Sequence, residues 1–222
     1  MTSFPFAIVG FDLDGTLLDT SADLAAAVNH VLDGVGCPRL SVAQVTAHIG
    51  GGGRRMLARS LAEAGHDQSG LDVLYDRMLA FYAAHIADET RAFPGCLAAL
   101  DDLAARGARI AIVTNKSEHL ARELLDALGL SSRFACLIGG DTLGPGNAKP
   151  SPAPIHDMIA RCGGGRAAFV GDSIYDITAG RAAGVPTVAV SFGFLDRPVA
   201  DLGADAVIDT YADLVPTLER LG

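Results

Sequence analysis

One stretch constrains this chain more than any other, Ala7 to Thr20, which reads A-I-V-G-F-D-L-D-G-T-L-L-D-T. The apolar run Ala7 to Phe11 predicts a short buried strand that stops at Asp12, with Asp14, Gly15 and Thr16 in the turn that follows. A turn at Gly15 aims both carboxylates into one pocket, where two like charges repel by ~4 kcal/mol at an effective protein dielectric. A cation between them relieves that repulsion. Carboxylate and backbone carbonyl oxygens suit a hard divalent ion such as Mg²⁺, which commonly keeps a substrate phosphate among its ligands. An EF-hand loop also begins D-x-D, but Leu17 and Asp23 stand where it needs Gly and Glu. Helix capping accounts for Asp19 or Thr20 before Ser21, yet leaves D-x-D-G-T after a buried strand unexplained.

The chain has 222 residues, half of them apolar, enough for one large core or a core with a smaller insertion. A net charge of −9 argues against a nucleic-acid or anionic-membrane partner, since such proteins carry basic patches that displace counterions. Cys37, Cys96, Cys136 and Cys162 lack C-x-x-C spacing, so they read as buried free thiols in a reducing compartment. The start of the chain has no basic stretch ahead of an apolar core, and no apolar run reaches bilayer length, so a cytoplasmic location is expected.

Helical spacing follows the opening turn. Ser21 to Gly34 carries Leu24, Val28, Val31 and Leu32 on one side; Ser41 caps a segment to Ile49; Gly50 to Gly53 interrupts; Arg54 to Ala64 and Leu71 to Ile86 resume. No strand is expected between Ser21 and Phe93. An all-helical block between two pieces of α/β pattern predicts an inserted helical subdomain at residues 19–92, with residues 1–18 and 93–222 as the α/β core and hinges near Asp19 and Phe93-Pro94-Gly95. From Cys96 onward strands and helices alternate, the pattern of a doubly wound, mostly parallel sheet. Strands are expected at Arg109 to Val113, Ala135 to Ile138, Ala167 to Val170, Pro186 to Val190 and, at an edge, Ala206 to Ile208. Helices fall at Cys96 to Arg106, Ser117 to Leu128, Pro152 to Cys162, Tyr175 to Ala183 and Tyr211 to Leu221.

Ligands bind outside the carboxyl ends of strands in open α/β sheets, and there the sequence is polar. Asp12 and Asp14 follow the first strand, Thr114 and Asn115 the second, Asp172, Ser173 and Asp176 the strand that ends at Gly171, and a Gly- and Pro-rich loop delivers Lys149. This set suits phosphoryl transfer to a carboxylate, with an aspartyl-phosphate intermediate. Asp12 is the candidate nucleophile. Asp172 suits a metal ligand and Lys149 a phosphate clamp, while Thr114 and Asn115 can donate to phosphate oxygens. Asp14 can protonate the leaving oxygen and then take a proton from water.

In this order, Asp12-Leu13-Asp14-Gly15-Thr16, Thr114, Lys149 and Gly171-Asp172-Ser173-Ile174-Tyr175-Asp176 resemble the four signatures of the haloacid dehalogenase-like (HAD) superfamily. The resemblance spans nearly the whole chain. It implies a Rossmann-like core with a helical cap inserted after the first strand, and Mg²⁺ held by the Asp12 carboxylate, the Asp14 main-chain carbonyl and Asp172, with Asp176 supporting them. Hydrolytic dehalogenases of that superfamily lack the second Asp, so Asp14 favours phosphate chemistry. Gly50-Gly51-Gly52-Gly53-Arg54-Arg55 and Ala204-Asp205-Ala206-Val207-Ile208-Asp209 resemble phosphoglycolate phosphatases most, which implies a small phosphorylated metabolite, 2-phosphoglycolate, as substrate.

Arg54, beside the Gly run, is the candidate for pairing with a substrate carboxylate, ahead of Arg55. The six His are dispersed and read as packing or surface residues. The absence of any His after Ser173 and of a G-x-S-x-G turn argues against a serine esterase. A phosphoacceptor receiver module would need neither Asp14 nor so long an insertion. A sugar-phosphate mutase or sugar phosphatase on the same scaffold is the alternative, because the helical block decides which acceptor reaches the phosphoryl group. The oligomeric state is not legible.

Overall fold

The computed structural model describes residues 4–195 and 197–222. Strand β1, Ile8–Phe11, is followed by β2, Leu18–Asp19, and then by four helices: α1, Ser21–Gly34; α2, Val42–Thr46; α3, Gly53–Glu63; and α4, Leu71–Ala84. The chain returns through β3, Arg91–Ala92, into α5, Cys96–Ala105; β4, Arg109–Val113; α6, Glu118–Ala127; β5, Cys136–Ile138; and α7, Ala153–Arg161. It closes with β6, Ala167–Gly171; α8, Ile174–Ala182; β7, Thr187–Val190; β8, Ala206–Ile208; and α9, Leu214–Leu221.

Six strands form a parallel sheet in the order β5-β4-β1-β6-β7-β8, so β1 lies inside it and is buried along its whole length. Its register sets Ile8 beside Arg109 of β4 on one flank and beside Ala167 of β6 on the other. A strand covered on both faces is apolar at every position, which is why Ile8 to Phe11 shows no alternation with polar residues. The pleat still sorts its side chains. Val9 and Phe11 join Leu100 and Leu103 of α5, Leu124 of α6 and Leu218 of α9 in one cluster, whereas Ile8 joins Met158 of α7 and Ala179 of α8 in another. Helices therefore cover both faces, and the sheet is doubly wound.

Helices α1 to α4 surround a third cluster, in which Leu24, Val28, Val31 and Leu32 meet Leu57, Leu61, Met78 and Tyr82. Leu120 of α6 and Phe194 also belong to it, which ties the helical block to the sheet region. Ser41 caps α2 through a capping box with Gln44, as expected from its position, although α2 ends at Thr46 rather than Ile49. One expectation fails. The segment between Ser21 and Phe93 does contain a strand, because Arg91–Ala92 pairs antiparallel with Leu18–Asp19. Two residues are too few for a period-two pattern to register in the sequence. The carboxylate of Asp23 reinforces this crossing by accepting hydrogen bonds from the amides of Glu89 and Thr90 and from the Thr90 hydroxyl.

Among the described residues all four cysteines are free thiols, Cys96 and Cys162 buried and Cys37 and Cys136 half-buried. Among the described residues no helix is long and apolar enough to cross a membrane.

Candidate active site

In a parallel sheet every strand delivers its next residue to the same edge. The ends of β4, β1 and β6, adjacent in the sheet, bring Thr114, Asp12 and Asp172 together from positions about 160 residues apart in the chain. Asp12 and Asp172 are 6% and 2% exposed and Asp176 is fully buried. One carboxylate oxygen from each of these three lies within 4.8 Å of the others.

Lys149 enters this acidic group from the loop before α7. Its ammonium is 2.5 Å from Asp176 Oδ1 and 2.8 Å from Asp12 Oδ1, although the latter contact lacks the alignment of a hydrogen bond. Asp176 is committed by local structure: as the third residue of α8 its Oδ2 accepts from the Ser173 hydroxyl at 2.6 Å, the Ser173 amide at 2.9 Å and the Asp172 amide at 3.2 Å. Asp172 accepts from Thr16 Oγ1 at 2.8 Å and from the Phe194 amide at 2.7 Å. Gly15 makes that approach feasible. A Cβ there would lie 2.4 Å from Asp172 Oδ2, and its φ of +86° is one that side chains disfavour.

Three buried carboxylates face one ammonium, an excess of negative charge that a divalent cation would balance. Burial above all raises Asp12 to about 7, with Asp176 and Asp14 adding to the rise and Lys149 opposing it. Burial, then Asp176 and Asp12, likewise raise Asp172. Burial acts to lower Lys149, but the Asp12 and Asp176 carboxylates outweigh it and hold its pKa above the ordinary value. All-oxygen donors, burial and an Asp12 oxygen without a directed hydrogen bond fit a hard cation.

Asp14 faces the other way. Its carboxylate meets Lys116 Nζ at 2.9 and 3.0 Å and accepts from Thr20 Oγ1 at 2.8 Å. Lys116 also lies over the ring of Tyr82 on α4, 4.7 Å from its centroid. Sequence reasoning passed over Lys116. The available signal was its place two residues after Thr114, at the same sheet edge as every other polar residue of the site.

Asp12, Asp14, Thr114, Asn115 and Lys116 line one side of a cavity partly open to solvent, and residues of α3 and α4, Met56 and Tyr82 among them, line the other. The Tyr82 hydroxyl is buried beside the Lys116 ammonium without an aligned hydrogen bond. Two of the expected site residues make other contacts. Asn115 does line the cavity, but its amide group donates to the carbonyls of Gly50 at 3.0 Å and Lys149 at 3.1 Å, which leaves no amide hydrogen directed at a phosphate. Arg54 does not reach the cavity: its guanidinium pairs with Asp72 of α4 at 2.6 Å, with both side chains largely in solvent. Arg55 lies over the Tyr175 ring instead, 5.8 Å from its centroid.

Residues 9–190 match the family described as haloacid dehalogenase-like hydrolase. The phosphoglycolate phosphatase of Agrobacterium fabrum is 41% identical over 98% of this chain and 95% of its own length. That of Caulobacter vibrioides is 42% identical over 94% and 89%. Among solved structures, one described as a predicted phosphoglycolate phosphatase from Haemophilus somnus superposes with a TM-score of 0.89 at 30% identity, covering 98% of this chain and 99% of the other. With a buried acidic group at the strand ends, a family match over most of the chain and relatives this similar along their full length, the chain belongs to the haloacid dehalogenase-like hydrolase family.

Proposed function

We propose that this protein is a Mg²⁺-dependent phosphomonoesterase of small phosphorylated metabolites, with 2-phosphoglycolate as its substrate and an aspartyl-phosphate intermediate. The observation that carries the proposal is Asp12, a buried carboxylate at the end of the inner strand β1 that lines the cavity and is grouped with Lys149 and Asp172. The names and full-length similarity of the Agrobacterium and Caulobacter relatives support the choice of substrate.

An Asp12 oxygen attacks phosphorus in line, forming an Asp12–phosphorus bond as the bond to the ester oxygen breaks. Asp14 gives the departing oxygen its proton, then removes one from a water molecule that attacks the phosphoryl group and frees Asp12 with inorganic phosphate. Lys149 neutralises charge on the phosphoryl oxygens and, through its contact with Asp12, keeps that carboxylate aimed at the cavity. Thr114, buried at the end of β4, offers its hydroxyl to a phosphoryl oxygen. Asn115 acts by fastening the loop at Gly50 to the loop at Lys149, and so fixes the lip of the cavity. Asp12, Asp172 and the Asp14 carbonyl would hold Mg²⁺, and Asp176 would fix Lys149 and the loop that carries Asp172. When bound, the ion supplies positive charge that lets a phosphate dianion approach a carboxylate.

In this reading residues 19–92 are a cap over a core formed by residues 1–18 and 93–222, a division supported by an apolar cluster drawn mainly from α1 to α4. The free thiols support a reducing, cytoplasmic setting. Release of inorganic phosphate from 2-phosphoglycolate in the presence of Mg²⁺, set against other phosphate esters, tests the function. Isomerised product without phosphate release would instead indicate a mutase.

A further inference from the structure

We propose that Lys116, the Tyr82 hydroxyl and the start of α3 form a subsite for a carboxylate carried on the leaving group of the phosphate ester. The proposal rests on the phosphatase reading above and adds how the substrate is selected. Among the described residues that line the cavity, Lys116 is the one cationic side chain. An ammonium has three donors, so its two contacts with Asp14 leave at least one for a ligand.

Tyr82 supplies the second observation. It is 2% exposed and lines the cavity, and its hydroxyl, beside the Lys116 ammonium, has no aligned hydrogen bond. Buried polar groups are almost always paired, so one without an aligned bond and facing a cavity points to a ligand oxygen. Gly52, which precedes α3 at φ +89°, provides no side-chain cap, so the helix presents its amide end and positive dipole to the same cavity. The bond from Asn115 to the Gly50 carbonyl anchors this loop.

The cavity lining also bears on what joins the two groups. Asp12 and Lys116 both touch this cavity, and Asp14, which pairs with Lys116, is the residue that serves the ester oxygen. A phosphoryl group at Asp12 and a carboxylate at Lys116 then leave room for a short carbon link, bounded by apolar Met56, Met78 and Leu120. A short phosphorylated hydroxy acid fits. Arg54, held by Asp72 outside the cavity, takes no part.

The test compares kcat and KM for 2-phosphoglycolate and ethyl phosphate, which has a methyl group where the former has its carboxylate. Wild type, Lys116→Met and Tyr82→Phe are measured side by side. The ratio of kcat/KM for the two esters is expected to fall at least about tenfold in Lys116→Met, where a charge-assisted contact is lost. In Tyr82→Phe it is expected to fall about three- to tenfold, chiefly through KM, as for one hydrogen bond. Tyr82→Phe keeps the ring and removes only a hydroxyl without an aligned hydrogen bond, so its Tm should equal or exceed that of wild type and the variant remains informative if Lys116→Met misfolds. Equal losses on the two esters in Tyr82→Phe would overturn the subsite alone. No phosphate from either ester with wild type would overturn the phosphatase reading and the subsite with it.

Discussion

Lys116 holds both carboxylate oxygens of Asp14, at 2.9 and 3.0 Å, while Lys149 holds Asp12 at 2.8 Å, so the two acids of D-x-D are divided between two buried ammonium groups. The motif brings its carboxylates to one sheet edge, and the rest of the chain gives them separate environments. Asp12 shares its surroundings with Asp172 and Asp176, whereas Asp14 faces the helical block through Thr20 and Lys116. Two acids with distinct tasks need such a division.

Asp176→Ala is expected to destabilise the protein by about 1–3 kcal/mol, because buried donors lose their acceptor while the repulsion with Asp12 and Asp172 is relieved. Lys149 would keep Asp12 alone, and the amides of Asp172 and Ser173 would lose their acceptor. Denaturant unfolding of the variant measures the loss. A change below 1 kcal/mol would show that Asp176 does not organise the site.

Metal binding should depend on pH in a definite direction. Asp12 is raised to about 7 and Asp172 is also raised, so in the metal-free protein the folded state holds protons that the unfolded chain has released. Their contribution to stability is present below the ordinary Asp pKa and is lost as pH rises through about 7. Mg²⁺ must displace those protons, so the increase in Tm on adding it should be small at pH 5.5 and largest near pH 8. Thermal melts at both pH values, with and without the ion, check this. A larger shift at the lower pH would contradict it.

Arg54→Ala should change kcat/KM for 2-phosphoglycolate by less than about twofold and stability by less than about 1 kcal/mol, as expected for an exposed ion pair. Steady-state kinetics decide the matter. A selective tenfold loss on carboxylate-bearing esters would return to Arg54 the role its sequence position suggests.

Much of this arrangement was legible because parallel sheets translate chain position into spatial position. The residues after β1, β4 and β6 were polar, and strand order alone makes them neighbours. What escaped was decided by contacts between distant segments. Lys116 and Asp14 are 102 residues apart, and Thr114 and Asn115 drew notice while the next residue did not. Arg54 looked suited to substrate binding because of the adjacent glycines, but which way a residue of α3 points depends on packing against α4, where Asp72 waits. Asn115 has a side chain suited to donating to a phosphate, and a nearby pair of carbonyls captured it. The β2–β3 pair is too short to leave a pattern, and its existence depends on the chain crossing beside itself.

The most direct measurement of the central claim is phosphate release from 2-phosphoglycolate by Asp12→Asn, with Mg²⁺ present and folding monitored by circular dichroism. Asparagine keeps the shape of the side chain and removes the nucleophilic oxygen charge, so the account predicts an intact fold with turnover reduced at least about 10³-fold, on the order of 4 kcal/mol in the barrier. Turnover within tenfold of wild type would contradict Asp12 as the nucleophile.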